Sequence, residues 1–488
     1  NLSRLKAAEL NIEAGKKAKS SAAYDLSLKF FTNGIYFLES SGEIAQNLKI
    51  NTYLDTAECA YLCNQHTLME SCLDKTLSET DDLIIKARVS EIKNKYLITS
   101  GNPTQAIQNT IQLLHEFNVH FPTSPKLYHV IHSILRVKLT LRNKSIEDLS
   151  KYSQTTNNKI ISIMRLISII GSAAYFSSPH LLPLLILENV YLSLKYGYSS
   201  YTAFSFSAYG IILCGNLGEV DRGYEFGKLA VAIYPELDGI KSKTKILHMV
   251  NSFIIHWKDP IRLTLDPLWE CYRSGSETGD LEFSFYGFIQ YSFHSFFAGK
   301  ELTQLEKEVS IGIESLENYN HKNSKYQVKI FQLVLLAFTN SKENPSTILT
   351  RTENLLQDDI DNASIEANAF YFHFFNLFLN YFFGNFATGI KNAEIAFSYS
   401  SSMKSLAIYP VLLFLQSLCL LEEYPNVNFF KKKDYLRKVK SNQRSMKKWA
   451  KHSQINFLHK YYLVEAEKDR VQNNFLSAID NYELAITL

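Results

Sequence analysis

Along this chain, small and aromatic residues return at the spacing that a stack of helical hairpins requires. In Gly15-Lys16-Lys17-Ala18, followed by Tyr24, Ser27, Phe31 and Gly34, small side chains fall where two helices of a hairpin would cross. They let the backbones approach, and the aromatics fill the groove to the next pair. The register returns with Ala57, Ala60, Met69, Leu73 and Thr76, and again with Leu97, Gly101-Asn102, Ala106, Thr110 and Leu113. It reappears as Cys214, Gly218, Gly223, Gly227 and Ala230, then as Gly384-Asn385-Phe386, Gly389, Ala393 and Ala396. A last copy reads Asn473-Asn474-Phe475, Ala478, Tyr482 and Ala485.

The crossing residues Ser27, Met69 and Ala106 are 42 and 37 residues apart, against about 34 in a regular tetratricopeptide repeat. The units are therefore lengthened and irregular. Between them helical periodicity persists: Ile160, Ile161, Ile163, Met164, Leu166, Ile167, Ile169 and Ile170 make a nearly all-round apolar helix, which implies burial. Pro122, Pro125, Pro179, Pro260 and Pro267 mark helix boundaries. Strand-like alternation never persists. The pattern predicts an all-α, irregular tetratricopeptide-like α-solenoid, a superhelix of roughly twenty helices of ordinary length. Three regions follow from its texture: N-terminal repeats over 1–120, degenerate aromatic-rich repeats over 121–300, and C-terminal repeats over 301–488 with a basic helix at 431–451.

Composition narrows the class. Nineteen glycines and 11 prolines in 488 residues are too few for a turn-rich sandwich or a Rossmann fold. A net charge of +3 argues against nucleic acid as the main partner. Six cysteines without a CxxC pair read as a reduced, cytoplasmic chain. The most membrane-like stretches, Leu181 to Leu187 and Phe370 to Phe386, are bounded or punctuated by Pro183, Glu188, His373, Asn376 and Asn380. Neither supplies the ~20 apolar residues of a span. A first residue that already reads as helix, and a last one that falls mid-pattern, suggest a piece of a longer protein.

Several clusters could carry chemistry. Cys59, Cys63 and His66 lie at i, i+4 and i+7, with Cys72 as a possible fourth zinc ligand; buried core cysteines are the simpler reading, and no metal is expected. His256-Trp257-Lys258-Asp259-Pro260 either lines a ligand pocket or anchors a groove between helices. Tyr286, Phe288, Tyr291, Phe293, His294, Phe296 and Phe297, with Tyr371 to Phe382, either stack on a planar ligand or fill the core. From Lys431 to Lys451 there are ten Lys or Arg against one acid, Asp434. Lys433, Arg437, Lys440, Arg444, Lys447 and Lys451 form one charged helical face with Lys448 beside it, suited to an acidic domain, an anionic membrane or nucleic acid. Phosphate-loop, GxGxxG, GxSxG, HExxH and kinase signatures are missing, so catalysis by this segment is not expected. The one enzymatic alternative is a cleft of His256, His294 and nearby acids.

Five segments carry a resemblance: 14–35, 172–215, 253–260 (FIIHWKDP), 278–306 and 449–467 (WAKHSQINFLHKYYLVEAE). They resemble the helical region of very large bacterial signalling proteins that join a serine/threonine-kinase-like domain, a STAND/AAA ATPase, a solenoid, a GAF domain and a sensor histidine kinase. The resemblance implies a non-catalytic sensor or scaffold, without cofactor. It would bind a protein partner, neighbouring domains of its own chain or a small inducer. A stand-alone adaptor or effector holding partner proteins is the alternative.

Overall fold

A computed structural model describes residues 2–39, 46–178, 180–237, 240–318, 322–339 and 365–488. Among them are 23 α-helices and no strand; one isolated bridge pairs Gln154 with Tyr198. The fold is an all-α array of helical repeats, as the pattern predicts. Packing divides it into two units, Asn1–Ser145 with Lys151–Thr202, and Ile146–Ser150 with Ala203–Leu488. That division falls inside the 121–300 region rather than at either of its ends. Pro179 lies outside the described residues.

The first unit opens with α1 (Leu2–Ser20), α2 (Tyr24–Glu39), α3 (Gln46–Leu62) and α4 (His66–Glu79), followed by α5 (Leu83–Thr99), α6 (Pro103–Glu116) and α7 (Leu127–Thr140). After the short α8 (Ile146–Ser150), which belongs to the second unit, α9 (Asn158–Ser177) and α10 (Leu182–Tyr196) complete it. The α1–α2 crossing shows why small residues recur. A Cβ on Gly15 would stand 2.7 Å from the buried Phe31 ring, and Ser27 Oγ donates to Gly15 O at 2.8 Å. Ser27, Met69 and Ala106 are all fully buried, as crossing residues must be.

The hairpin turns share one mechanism. A residue in the left-handed region ends the helix, and the next amide reaches back five residues to a free carbonyl, the Schellman closure. Asn64 (φ 60°) precedes Gln65 N–H to Ala60 O at 2.8 Å, and Gly101 (φ 82°) precedes Asn102 N–H to Leu97 O at 2.8 Å. In the second unit Gly384 (φ 77°) and Asn473 (φ 63°) do the same for Asn385 N–H to Asn380 O and Asn474 N–H to Asp469 O. Glycine and asparagine tolerate this backbone, which is why they punctuate the register.

The second unit runs through α11 (Thr202–Ile211), a π-helical turn Ile212–Leu217, α12 (Val220–Leu237) and α13 (Ile240–Phe253). Two 3-10 turns, Ile255–Trp257 and Ile261–Thr264, lead into α14 (Leu265–Thr278) and α15 (Leu281–Phe297). Next come α16 (Leu302–Asn318), α17 (Lys322–Thr339), α18 (Ile365–Phe382), α19 (Phe386–Ser398) and α20 (Ile408–Glu422). It ends with α21 (Phe429–Ala450), α22 (Gln454–Val471) and α23 (Phe475–Thr487). Its core is aromatic: the Phe293 ring meets Phe331, Tyr371 and Phe375 at 5.0, 5.2 and 5.3 Å. The aromatic segments therefore fill their own groove. In a simple solenoid each repeat touches only its neighbours. Here the end of the unit returns to its beginning, because Ser405 Oγ donates to Ile211 O at 3.3 Å and Trp449 packs on Trp257 at 5.4 Å.

The crossings predict opposite signs for one chemical change. Gly15→Ala is expected to destabilise by about 1–3 kcal/mol through overpacking against Phe31. Gly171→Ala, where an added Cβ meets nothing within 4 Å, is expected to stabilise α9 by about 0.5–1 kcal/mol. Chemical denaturation of both variants checks the pair; equal signs would refute the crossing assignment.

Candidate functional site

Pro260 cannot donate a backbone hydrogen bond, and the chain around it abandons the α-helix for the two 3-10 turns. Three main-chain groups there are satisfied by one side chain from α22. Asn456 Nδ2 donates to His256 O at 2.8 Å and Asp259 O at 2.7 Å, while its Oδ1 accepts from Ile261 N–H at 3.1 Å. Behind this clamp Trp257 is buried, its indole N–H donating to Phe253 O at 3.0 Å and its ring packed on Phe457 at 5.7 Å.

Between the turns and α22 lies a cavity of about 210 Å³. Its polar lining is His256, Arg262, Asn456, His459 and Lys460; the rest is apolar, including Ile261, Phe297, Pro410 and Val411. No Asp or Glu among the described residues lines it. His256 is 1% exposed and neither ring nitrogen has a partner among the described residues. His294 lies behind it, ring centroids 6.0 Å apart. Thr264 Oγ1 lies 2.7 Å from both Ile261 O and His294 Nδ1, and His294 Nε2 has no partner among the described residues.

Burial sets the charge states. It holds His294 down to about 3 and His256 well below the ordinary imidazole value, each with a smaller push from a neighbouring histidine. Burial likewise lowers Lys460 to about 8, and burial followed by the Lys460 charge brings His459 to about 4. Lys460 Nζ donates to Asn456 O at 2.8 Å and lies 3.0 Å from His459 Nε2. At neutral pH the cavity thus presents one cationic amine among neutral imidazoles.

Of the residues expected from sequence, His256 lines the cavity, whereas Trp257 and His294 form its backing. The acids that an enzymatic cleft would need do not line it; a lysine and an arginine stand there instead. Asn456, His459 and Lys460 were not singled out: the main-chain groups that Asn456 binds lie 195–200 residues away, and only the fold sets Lys460 and His459 beside His256. Cys59 is buried with Sγ 3.4 Å from Ser27 Oγ, Cys72 is buried, and His66 packs on Tyr96 at 4.6 Å. Burial lifts the Cys63 and Cys72 thiols to about 11, and no metal-sized His/Cys/Asp/Glu group occurs among the described residues.

The basic run is the outer face of α21. Tyr435, Val439, Asn442, Gln443, Met446 and Ala450 are buried, and Lys433, Arg437, Lys440, Arg444, Lys447 and Lys448 are exposed. Asp434 pairs with Arg437 at 2.5 Å and Lys438 at 3.2 Å; Lys438 also reaches Glu394 at 2.9 Å. Lys433, Lys440, Arg444 and Lys447 have no carboxylate partner among the described residues. Lys448 leans over the Gly218 turn, where a Cβ would come within 2.4 Å of its Nζ. At the start of the face Phe429 and Phe430 are 64% and 81% exposed, two anchors that sequence reasoning passed over. It also missed an apolar stripe on α7, where Leu127, Ile131, Leu135 and Leu139 stand exposed at four-residue steps.

No family model matches the sequence. The chain is similar to hybrid signal transduction histidine kinase G of Dictyostelium discoideum, at 23% identity over 347 residues. The match covers 64% of this chain and 10% of that protein. No helix among the described residues is long and apolar enough to cross a membrane.

Two outcomes follow from the site. Trp257→Ala is expected to cost about 3–5 kcal/mol in chemical denaturation, as a buried Trp truncation does. For pH, buried neutral His248, His256 and His294 have folded values below the unfolded ~6.5. As pH falls below that, the unfolded chain takes up the protons first, and stability drops by about 1.4 kcal/mol per pH unit for each histidine. His294→Gln should flatten the slope of unfolding free energy between pH 6 and 5 by one proton's worth; an unchanged slope contradicts the assignment.

Proposed function

We propose that this chain is a non-catalytic sensor and docking segment of a larger signalling protein, cytoplasmic, which binds an acidic protein partner through the outer face of α21. The observation that carries the reading is the one-sidedness of that face. Four of its exposed cations, Lys433, Lys440, Arg444 and Lys447, have no carboxylate partner among the described residues, and two exposed phenylalanines stand at its start. Aromatic anchors beside positive charge suit a protein interface, where charge steers the encounter and the rings supply contact area.

The signalling role is supported by the similarity to a hybrid histidine kinase, of which the chain spans a tenth. Within this proposal the acidic partner is a neighbouring domain of the same polypeptide, such as a kinase or ATPase domain, and the segment relays occupancy to it. The resemblance of the five sequence segments is what supports the finer STAND ATPase–kinase arrangement. The absence of carboxylates from the cavity lining supports a binding role over acid–base chemistry.

Poly-glutamate serves as the acidic probe. The wild-type chain is expected to bind it with an affinity that falls steeply with salt, and Lys440→Glu, Arg444→Glu and Lys447→Glu together should weaken binding by roughly tenfold or more. Undiminished binding by the triple variant overturns the face. Preference for anionic vesicles or duplex DNA over the acidic polypeptide, lost in the same variant, overturns the protein partner.

A further inference from the structure

Three of the five segments that carry the resemblance converge on one chamber: 253–260 brings His256, 278–306 brings His294 and Phe297, and 449–467 brings Asn456, His459 and Lys460. We propose that this chamber binds a small organic acid, whose carboxylate is held by Lys460 and His256 and whose apolar body rests on Phe297, Pro410 and Val411. The inference deepens the sensor reading above by naming the class of inducer.

The donors and walls select the ligand. Lys460 has three N–H groups. One is spent on Asn456 O and a second faces His459 Nε2, so a third is available. His256 is 1% exposed with both ring nitrogens unpartnered, and a neutral imidazole always has one N–H to give. Arg262 adds positive charge from an exposed position on the lining, and no acid among the described residues shares that lining. A partly desolvated ammonium without a counter-ion is costly, and burial lowers the Lys460 value to about 8 accordingly. An anion that enters restores the lost stabilisation through charge-assisted hydrogen bonds. Most of the lining is apolar, which asks for an organic body rather than a bare inorganic ion.

The titratable and charged groups that share the chamber lining with Lys460 are His256 from the 3-10 turn, Arg262 from the next turn and His459 from α22 itself. Burial keeps His256 and His459 neutral above pH 7, whereas Lys460, lowered to about 8, loses its proton between pH 7 and 9.5.

Calorimetric titration of the full chain with benzoate and with the isosteric, uncharged benzamide tests the site. Benzoate is expected to bind and benzamide to bind roughly tenfold or more weakly, the worth of one charge-assisted hydrogen bond. Benzoate affinity should fall as pH rises from 7 to 9.5. Lys460→Met should abolish binding while raising the melting temperature, because an apolar side chain replaces a buried charge; loss of binding then cannot be laid to unfolding. Equal binding of the amide, binding retained in Lys460→Met, or no binding of benzoate overturns the proposal. The triple reversal on α21 should leave benzoate binding intact, so the chamber and the docking face fail separately.

Discussion

One side-chain amide closes the second unit. A stack of helical hairpins has no intrinsic reason to bring residue 256 to residue 456, since each pair buries its apolar face against the next. The break at Pro260 supplies the reason. It leaves two carbonyls and an N–H outside any helix ladder, and Asn456 satisfies all three at 2.7–3.1 Å. Unpaired, each buried main-chain group would cost about 1–3 kcal/mol. The clamp therefore fixes where α22 lies, and with it the packing of Trp449 and Phe457 on Trp257.

The chamber follows from the same closure. The 3-10 turns are shorter and more irregular than the helices they replace, and α22 meets them through its first turns. The cavity remains between them, walled by the end of α15 and the start of α20. Filling such a space with apolar side chains would have been the stable solution. Instead Lys460 is held there by its own helix carbonyl, beside an imidazole pair with bare nitrogens. Buried polar groups without partners are destabilising, so a fold that keeps them is spending stability on something other than itself.

The repeat was legible from sequence because it is local. Close crossing favours small residues such as Ser27 and Ala106 within each hairpin, and these mark the crossings without knowledge of the fold even though the units vary in length. The turns were legible for the same reason: Gly101, Gly384 and Asn473 occupy a backbone that few other residues tolerate. His256-Trp257 was visible as an unusual cluster, but no local pattern says which of the two turns toward a cavity and which packs in the core. His256 lines the cavity and Trp257 anchors the groove. What stayed hidden was everything set by pairing across distance. Nothing in the pattern around Asn456 points to the turn 195–200 residues earlier that it binds, and the boundary after Thr202 leaves no glycine- or proline-rich linker to read. The apolar stripe on α7 looked like any amphipathic helix until its outward side was known.

The basic face of α21 cannot be explained as a contribution to the fold. Like charges at helical spacing repel by about 0.2–0.5 kcal/mol per pair, and Lys433, Arg437, Lys440, Arg444, Lys447 and Lys451 follow one another at three- and four-residue steps. Lys431, Lys432 and Lys433 also crowd the first turn, where the helix dipole favours acids, and no acid is there. The inner side of the same helix meets every requirement: Asn442 donates to Gln416 Oε1 at 2.9 Å and Gln443 to Tyr461 O at 2.9 Å. A helix well fitted within and self-repelling without has an outer sequence shaped by something beyond the fold, and opposite charge is what would relieve it. The chamber repeats the logic on a smaller scale, with a lysine and an arginine on its lining and no acid among the described residues there. Inside and outside, the α21–α22 pair carries positive charge that no carboxylate among the described residues offsets.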